Sequence, residues 1–462
     1  MKIAFFSSEV FPFSKTGGLA DVAYALPIAL EKEGHQVVVV TPFYRAVKDS
    51  GEEIEKINDA VFCARIGRGI KVYFIANDSF FGRSGFYGDE DGDYRDNLER
   101  FSYYCNKGLE ILKETGFKPQ IINAHDWESA LIPVLLKFNF RGDDFYRQTK
   151  VVLTIHNMGY QGIFPAEDFP MLNLDGELFS AQALEFYGKI NVLKGGIIFS
   201  DIVNTVSPTY AREIMTKEYG FGLEGVLHKR RGSLCGILNG VDYDVWDPRH
   251  DGFIFNNFSA RDHSGKRENK AGLQKLCRLP VDENAVLIGI VSRMAEQKGF
   301  DLLAENIARL CGMGTQFVIL GTGDIKYQDI FKGLALKNPK NISVNIKFDD
   351  PLAHKIYAGS DIFLMPSKYE PCGLGQLIAL RYGSIPVAFK TGGLADTVNP
   401  ENGFLFSSYD SKGLVNAVKD ALCAFKDREK WIKLVSRAMR CDFSWQSCAK
   451  EYLKIYEKTR SA

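Results

Sequence analysis

Lys15-Thr16-Gly17-Gly18-Leu19-Ala20-Asp21 and Lys390-Thr391-Gly392-Gly393-Leu394-Ala395-Asp396 are the same seven residues, each placed straight after an apolar run. Paired glycines let a chain turn sharply from strand to helix, and such a turn can bring backbone N–H groups, a helix N-terminus and a lysine against an anion, most often phosphate. That chemistry is the expectation for the first copy; for the second the expectation is a plain tight turn. Arg293 and Lys298 stand five apart in the loop after the run 286–291, where the arginine's fork and the lysine's point charge can clamp a diphosphate. Glu370, in Tyr369-Glu370-Pro371-Cys372-Gly373-Leu374-Gly375, sits just outside a helical pattern at 375–382. Its carboxylate can accept hydrogen bonds from hydroxyls such as a sugar's, or simply complement the helix start.

His125-Asp126 and His156-Asn157 end two further apolar runs, 121–124 and 151–155. A lone histidine at a strand end is usually a hydrogen-bonding core residue. Two polar pairs at the ends of strands in one sheet point to a site, because the loops there converge on one crevice. None of these residues forms a Ser-His-Asp nucleophile elbow. Gly321-Thr322-Gly323-Asp324 starts like a dinucleotide fingerprint, but Lys326 stands at its third glycine position, which speaks against a dehydrogenase.

The elements that must hold these residues follow from hydrophobic periodicity. Short β-branched runs at 36–40, 72–76, 121–124, 151–155 and 202–206 read as strands, and 97–116 reads as a helix ending at Gly116. Alternation at this spacing implies crossover connections and a parallel sheet covered on both faces. The pattern lapses between about 241 and 285, then resumes with strands at 286–291, 317–320, 342–346, 362–365 and 385–389. The fold class is therefore α/β with two doubly wound, Rossmann-like domains, divided as 1–242 and 243–444. Ligands of such sheets collect beyond the carboxyl ends of the strands.

A chain of 462 residues is longer than one core usually supports, and its 45% apolar content is that of an ordinary globular protein. Lys plus Arg and Asp plus Glu each number 57, so no global charge advertises nucleic acid or an acidic membrane surface. Any anion must be bound by local charge. No apolar stretch reaches membrane-spanning length, and the start of the chain is too short and polar for a secretory core. Nine cysteines without a Cys-x-x-Cys pair argue against disulfides or structural zinc, so the cytoplasm is the expected compartment.

Taken together, Lys15 to Asp21, His156-Asn157-Met158-Gly159-Tyr160-Gln161-Gly162, Asn239-Gly240-Val241-Asp242, Ser292 to Gly299 and Glu370 to Leu374 resemble the bacterial glycogen synthases of the glycosyltransferase family that also holds plant starch synthases. The likeness runs through nearly the whole chain in the family's order. It implies a GT-B architecture, two Rossmann-like domains facing across a deep cleft. The first domain would be acceptor-side, with a last helix in 445–462 packing back on it, and the second would bind the nucleotide sugar. It also implies transfer of glucose from ADP-glucose to the non-reducing 4-hydroxyl of an α-1,4-glucan such as glycogen, with retention and without metal or other cofactor.

By that resemblance Lys15 and the Gly18 backbone meet the diphosphate together with Arg293 and Lys298. Glu370 and the backbone of Cys372, Gly373 and Leu374 hold the glucosyl hydroxyls. His156 lies near the reacting carbon, with Asp21, Asp126 and Asn157 on the sugar or acceptor side, and Phe348 stands against the adenine. Two departures matter: many members have threonine and tyrosine where this chain has Gly375 and Ile378. Gly375 offers phosphate only its N–H. The absent second glutamate eight residues after Glu370 leaves ribose binding to be arranged otherwise. The rival readings are a same-fold retaining transferase using UDP-glucose or another acceptor, a glucan phosphorylase, and a glucan-binding protein without activity.

Overall fold

The computed structural model describes residues 1–461, which divide into two compact units, Met1–Gly240 with the C-terminal helix Trp445–Ser461, and Val241–Ser444. The chain crosses two residues earlier than the expected boundary, because Val241 is tied to the end of the second unit: its N–H bonds the Phe443 carbonyl and it bridges to Ser444.

The first unit is built on a nine-stranded sheet. From one edge the strands are Leu234–Gly236, Ile202–Thr205, Lys150–Ile155, Ile121–His125, Lys2–Phe6, Gln36–Pro42, Ile70–Ile75, Val61–Ile66 and Glu55–Asn58. The first seven are mutually parallel. The last two are antiparallel, a departure from the all-parallel expectation. Only Gly67-Arg68-Gly69 joins Val61–Ile66 to Ile70–Ile75, with positive φ at both glycines, and three residues suffice for a hairpin but not for a crossover.

The chain leaves Lys2–Phe6 in one direction across the sheet, then returns to Ile121–His125 on its other side. The connections leaving these two paired strands therefore run in opposite directions across the sheet from their carboxyl ends, the switch point at which doubly wound sheets bind ligands. Helix Gly18–Lys32 covers one flank by burying Ala20, Val22, Ala23, Leu26, Ala29 and Leu30. The helix Trp445–Ser461 joins the same core through Trp445, Tyr452 and Tyr456, packing on Gly18–Lys32 and on Lys150–Ile155.

The second unit repeats the plan with six parallel strands in the order Ile342–Asn345, Thr315–Leu320, Val286–Val291, Ile362–Met365, Ile385–Phe389, Phe404–Phe406. Its switch point lies between Val286–Val291 and Ile362–Met365. All nine cysteines are free thiols, and no described helix is long and apolar enough to cross a membrane.

Candidate active site

At the switch point of the second unit, the loop after Val286–Val291 carries Arg293 and Lys298, and the loop after Ile362–Met365 carries Glu370. The two loops are locked together by backbone. The Lys368 N–H donates to the Gln297 carbonyl at 2.9 Å, and the Gln297 side chain donates to the Tyr369 carbonyl at 3.3 Å. Gly299, with φ at +75°, lies so close that a Cβ there would meet the Pro366 carbonyl oxygen at 2.0 Å. The result is that Lys298 Nζ donates to Glu370 Oε2 at 2.6 Å, joined by Ser367 Oγ at 3.0 Å. Lys298, expected on phosphate, and Glu370, expected on sugar, form a single ion pair. Glu370 is buried and Lys298 partly so, while Arg293 is exposed and its guanidinium makes no hydrogen bond or ion pair among the described residues.

The Glu370 loop rests on the second heptapeptide. Cβ atoms at Gly392 and Gly393 would lie 2.0 Å from the carbonyl oxygens of Glu370 and Cys372, and the Gly393 N–H reaches the Glu370 and Pro371 carbonyls at 3.1 Å. Gln376 donates to the carbonyls of Cys372 and Gly373, closing the turn before helix Gly375–Arg381. At Gly375 the side-chain direction is already filled, since a Cβ would sit 3.1 Å from the Phe363 ring, and Ile378 is buried in the helix that follows. Leu374 is half-buried at the helix start. Phe348 is 80% exposed, after the edge strand Ile342–Asn345, and stacks on no ring among the described residues.

In the first unit Lys15 pairs with Asp21 at 2.8 Å, both partly exposed. The glycine turn is not vacant. Glu9, three residues beyond strand Lys2–Phe6, accepts from the Thr16 hydroxyl and N–H and from the Gly17 N–H at 3.3 Å, and is itself held by the Tyr87 hydroxyl at 2.7 Å. Two of the turn's N–H groups are thus already donated to an internal carboxylate, leaving for an outside anion Gly18, the first residue of the helix, and the Lys15 N–H groups not given to Asp21.

Across the switch point, Asp126 takes φ of +54°, a conformation costly for a residue with a side chain. Its Oδ1 accepts the His156 N–H at 2.6 Å, which sets the start of the next loop. Burial pushes the Asp126 carboxyl up to about 7, the charge of Glu9 adds to this, and the N–H groups of His156 and Asn157 oppose it. His125 and His156 are joined Nδ1 to Nε2 at 2.9 Å, and burial drives both rings neutral, His156 down to about 3. Asn157 turns its amide oxygen back to the Gly159 N–H at 2.9 Å. Among the described residues no three His, Cys, Asp or Glu side chains group as a metal site.

Comparison with known proteins supplies the family. Residues 2–229 match the model of the starch synthase catalytic domain and residues 277–435 that of glycosyl transferases group 1. Glycogen synthase of Geotalea uraniireducens is 48% identical over 99% of this chain and 98% of its own length. The chain belongs to the glycogen and starch synthase family of glycosyltransferases. The synthase of Thermotoga maritima is 44% identical over 99% of both chains. Among solved structures, the catalytic domain of starch synthase IV from Arabidopsis thaliana, bound to ADP and acarbose, superposes with a TM-score of 0.90 at 36% identity, covering 100% of this chain and 99% of that one. Sucrose-phosphate synthase of Thermosynechococcus elongatus, at 18% identity and a TM-score of 0.62, shares the fold. The family is of GT-B architecture, and this synthase is a glycosyltransferase.

Sequence reasoning missed Glu9 and Ser367, and also Asn123, whose Nδ2 lies 2.5 Å from His125 Nε2, and Tyr456, whose hydroxyl donates to Asn123 Oδ1. Glu9 was within reach, being the one acidic residue between strand Lys2–Phe6 and the glycine turn. Nothing near Tyr456 in the chain marks it, since its partner Asn123 is 333 residues away.

Proposed function

We propose that this synthase moves glucose from ADP-glucose onto the non-reducing 4-hydroxyl of an α-1,4-glucan, with retention at the anomeric carbon and no metal ion. The observation that carries the reading is the Lys298–Glu370 pair beside a partnerless Arg293 at a strand switch point. An ammonium has three N–H donors, so Lys298 can keep Glu370 while reaching a phosphate oxygen. The same contact that grips the diphosphate then sets the carboxylate that holds the sugar. As the bond to ADP stretches, negative charge grows on the diphosphate, and fixed cations gain most when that charge is largest. Lys15 and Arg293 serve the same end.

A hydrolase that retains configuration uses a second carboxylate as nucleophile. Glu370 is occupied by Lys298 and Ser367, and no other carboxylate bonds to this cluster among the described residues. The glucan hydroxyl therefore attacks from the side the diphosphate leaves. His156, half-buried and neutral, binds the sugar. Asp126 and Asn157 shape the loop that carries it. The exposed Phe348 ring offers stacking area to a purine, which favours ADP over UDP; the relative solved with ADP and acarbose supports the same choice. Nine free thiols fit a reducing cytoplasm.

The deciding experiment is a donor panel with glycogen as acceptor: ADP-glucose is expected to be the better donor by kcat/KM. Equal use of ADP-glucose and UDP-glucose sinks the donor assignment, and no incorporation from either sinks the transfer itself.

A further inference from the structure

The two histidines belong to a longer chain of contacts that ends in the C-terminal helix. Tyr456, fully buried, directs its hydroxyl at Asn123 Oδ1 at 3.1 Å. Asn123 Nδ2 lies 2.5 Å from His125 Nε2, and His125 Nδ1 lies 2.9 Å from His156 Nε2. Nothing described bonds His156 Nδ1.

We infer that Tyr456, Asn123 and His125 are positioning residues that fix the proton of His156 on Nδ1, so that this histidine meets its substrate as a hydrogen-bond donor and not as a base. The inference rests on His156 being the sugar contact.

Direction is set at the far end. The Tyr456 hydroxyl proton needs an acceptor in a buried place, and Asn123 is its sole hydrogen-bond partner among the described residues. Its phenol stays protonated, since burial raises it well above the usual tyrosine range. The Asn123 amide must therefore turn its oxygen to Tyr456 and its NH₂ to His125. Thr154 Oγ1, at 3.2 Å from the NH₂ and 3.4 Å from the oxygen, can serve either orientation and does not decide it. An NH₂ facing His125 Nε2 obliges that nitrogen to accept. A neutral imidazole carries one N–H, so the His125 proton is on Nδ1, where it donates to His156 Nε2. By the same rule the His156 proton is on Nδ1, the ring's open edge. Such a donor can hold a sugar oxygen throughout the reaction and takes no proton from the acceptor hydroxyl.

The test is two-bond proton–nitrogen correlation on the full chain with nitrogen-15 in its seven histidines, the His156 signals assigned by their loss in His156→Gln. The expected result is Nδ1–H for both His125 and His156; Nε2–H at His156 in the wild type overturns the inference. Asn123→Asp presents an acceptor to His125 Nε2, which should move both protons to Nε2. Transfer should then slow by at least about tenfold, with the KM for ADP-glucose unchanged, as expected for a lost hydrogen bond in the transition state. Should that variant fold poorly, Tyr456→Phe removes only the hydroxyl that orients the amide and should give two tautomer populations at His156. A single unchanged Nδ1–H population in Tyr456→Phe overturns the relay. A tautomer that switches while transfer keeps its rate leaves the relay standing and sinks the sugar role of His156.

Discussion

The two copies of Lys-Thr-Gly-Gly-Leu-Ala-Asp occupy opposite environments. In the first, Lys15 to Gly18 are exposed, and a Cβ at Gly17 would have open space within 4 Å. In the second, Thr391 to Leu394 are buried, and the glycines exist because the carbonyls of Glu370 and Cys372 press against them. One copy is a surface turn whose N–H groups are partly taken by Glu9; the other is a brace under the loop that holds Glu370. Identical residues, one copy after the first strand of its sheet and the other after a strand next to the edge, acquire different roles from what packs against them.

The largest expected effect separates the two copies at their glycines. Gly393→Ala forces backbone apart at Cys372, and such overpacking costs about 1–3 kcal/mol. A displacement of about 1 Å at the Glu370 loop can cost about a hundredfold in kcat. Gly17→Ala, on extended backbone in open space, should change unfolding free energy by less than about 0.5 kcal/mol. Thermal unfolding with donor kinetics reads both, and a harmless Gly393→Ala would break the contrast.

The lysines come next. Lys15→Ala and Lys298→Ala should each lower turnover about ten- to a hundredfold, the worth of a charge-assisted contact of about 1.5–3 kcal/mol, with little effect on folding. Lys390→Ala, exposed in the bracing copy, should leave turnover near wild type. Equal losses from Lys15 and Lys390 would give the copies one role after all.

A third effect belongs to the first copy's surroundings, where buried ionisable groups gather. His156 is held near 3 against an ordinary 6.5, so its contribution to stability is complete above pH 6.5 and is lost as pH falls toward 3. Asp126 is raised from 3.8 to about 7, so its contribution is complete below pH 3.8 and is lost as pH rises through 7. His156→Gln should therefore flatten the fall of the Tm profile on the acid side, and Asp126→Asn the decline that the buried carboxyl causes between pH 3.8 and about 7, each by a few degrees. Profiles parallel to wild type in both variants would remove this distinction between the units.

The smallest effect is at Phe348. Aromatic stacking contributes about 0.5–1.5 kcal/mol, so Phe348→Ala should reduce the preference for ADP-glucose over UDP-glucose by about three- to tenfold. A preserved preference would move base selection to other residues.

Much of this is legible in the sequence. The strands at 362–365 and 385–389 coincide with Ile362–Met365 and Ile385–Phe389, because a fully buried parallel strand is an uninterrupted apolar run. The glycine turns, the polar pairs at strand ends and the two-fold repetition of the plan were readable for the same reason: backbone geometry and periodicity are local. What a carboxylate or an N–H group meets across space is not. Lys298 finds Glu370 72 residues away, Glu9 fills the turn that an outside anion was expected to fill, and Tyr456 reaches Asn123 only because the last helix returns to the first unit. Local periodicity settles which elements form and where loops gather. The partner of each polar group is chosen by packing, since a buried donor or acceptor must be satisfied by whatever the fold brings within 3 Å, however distant along the chain.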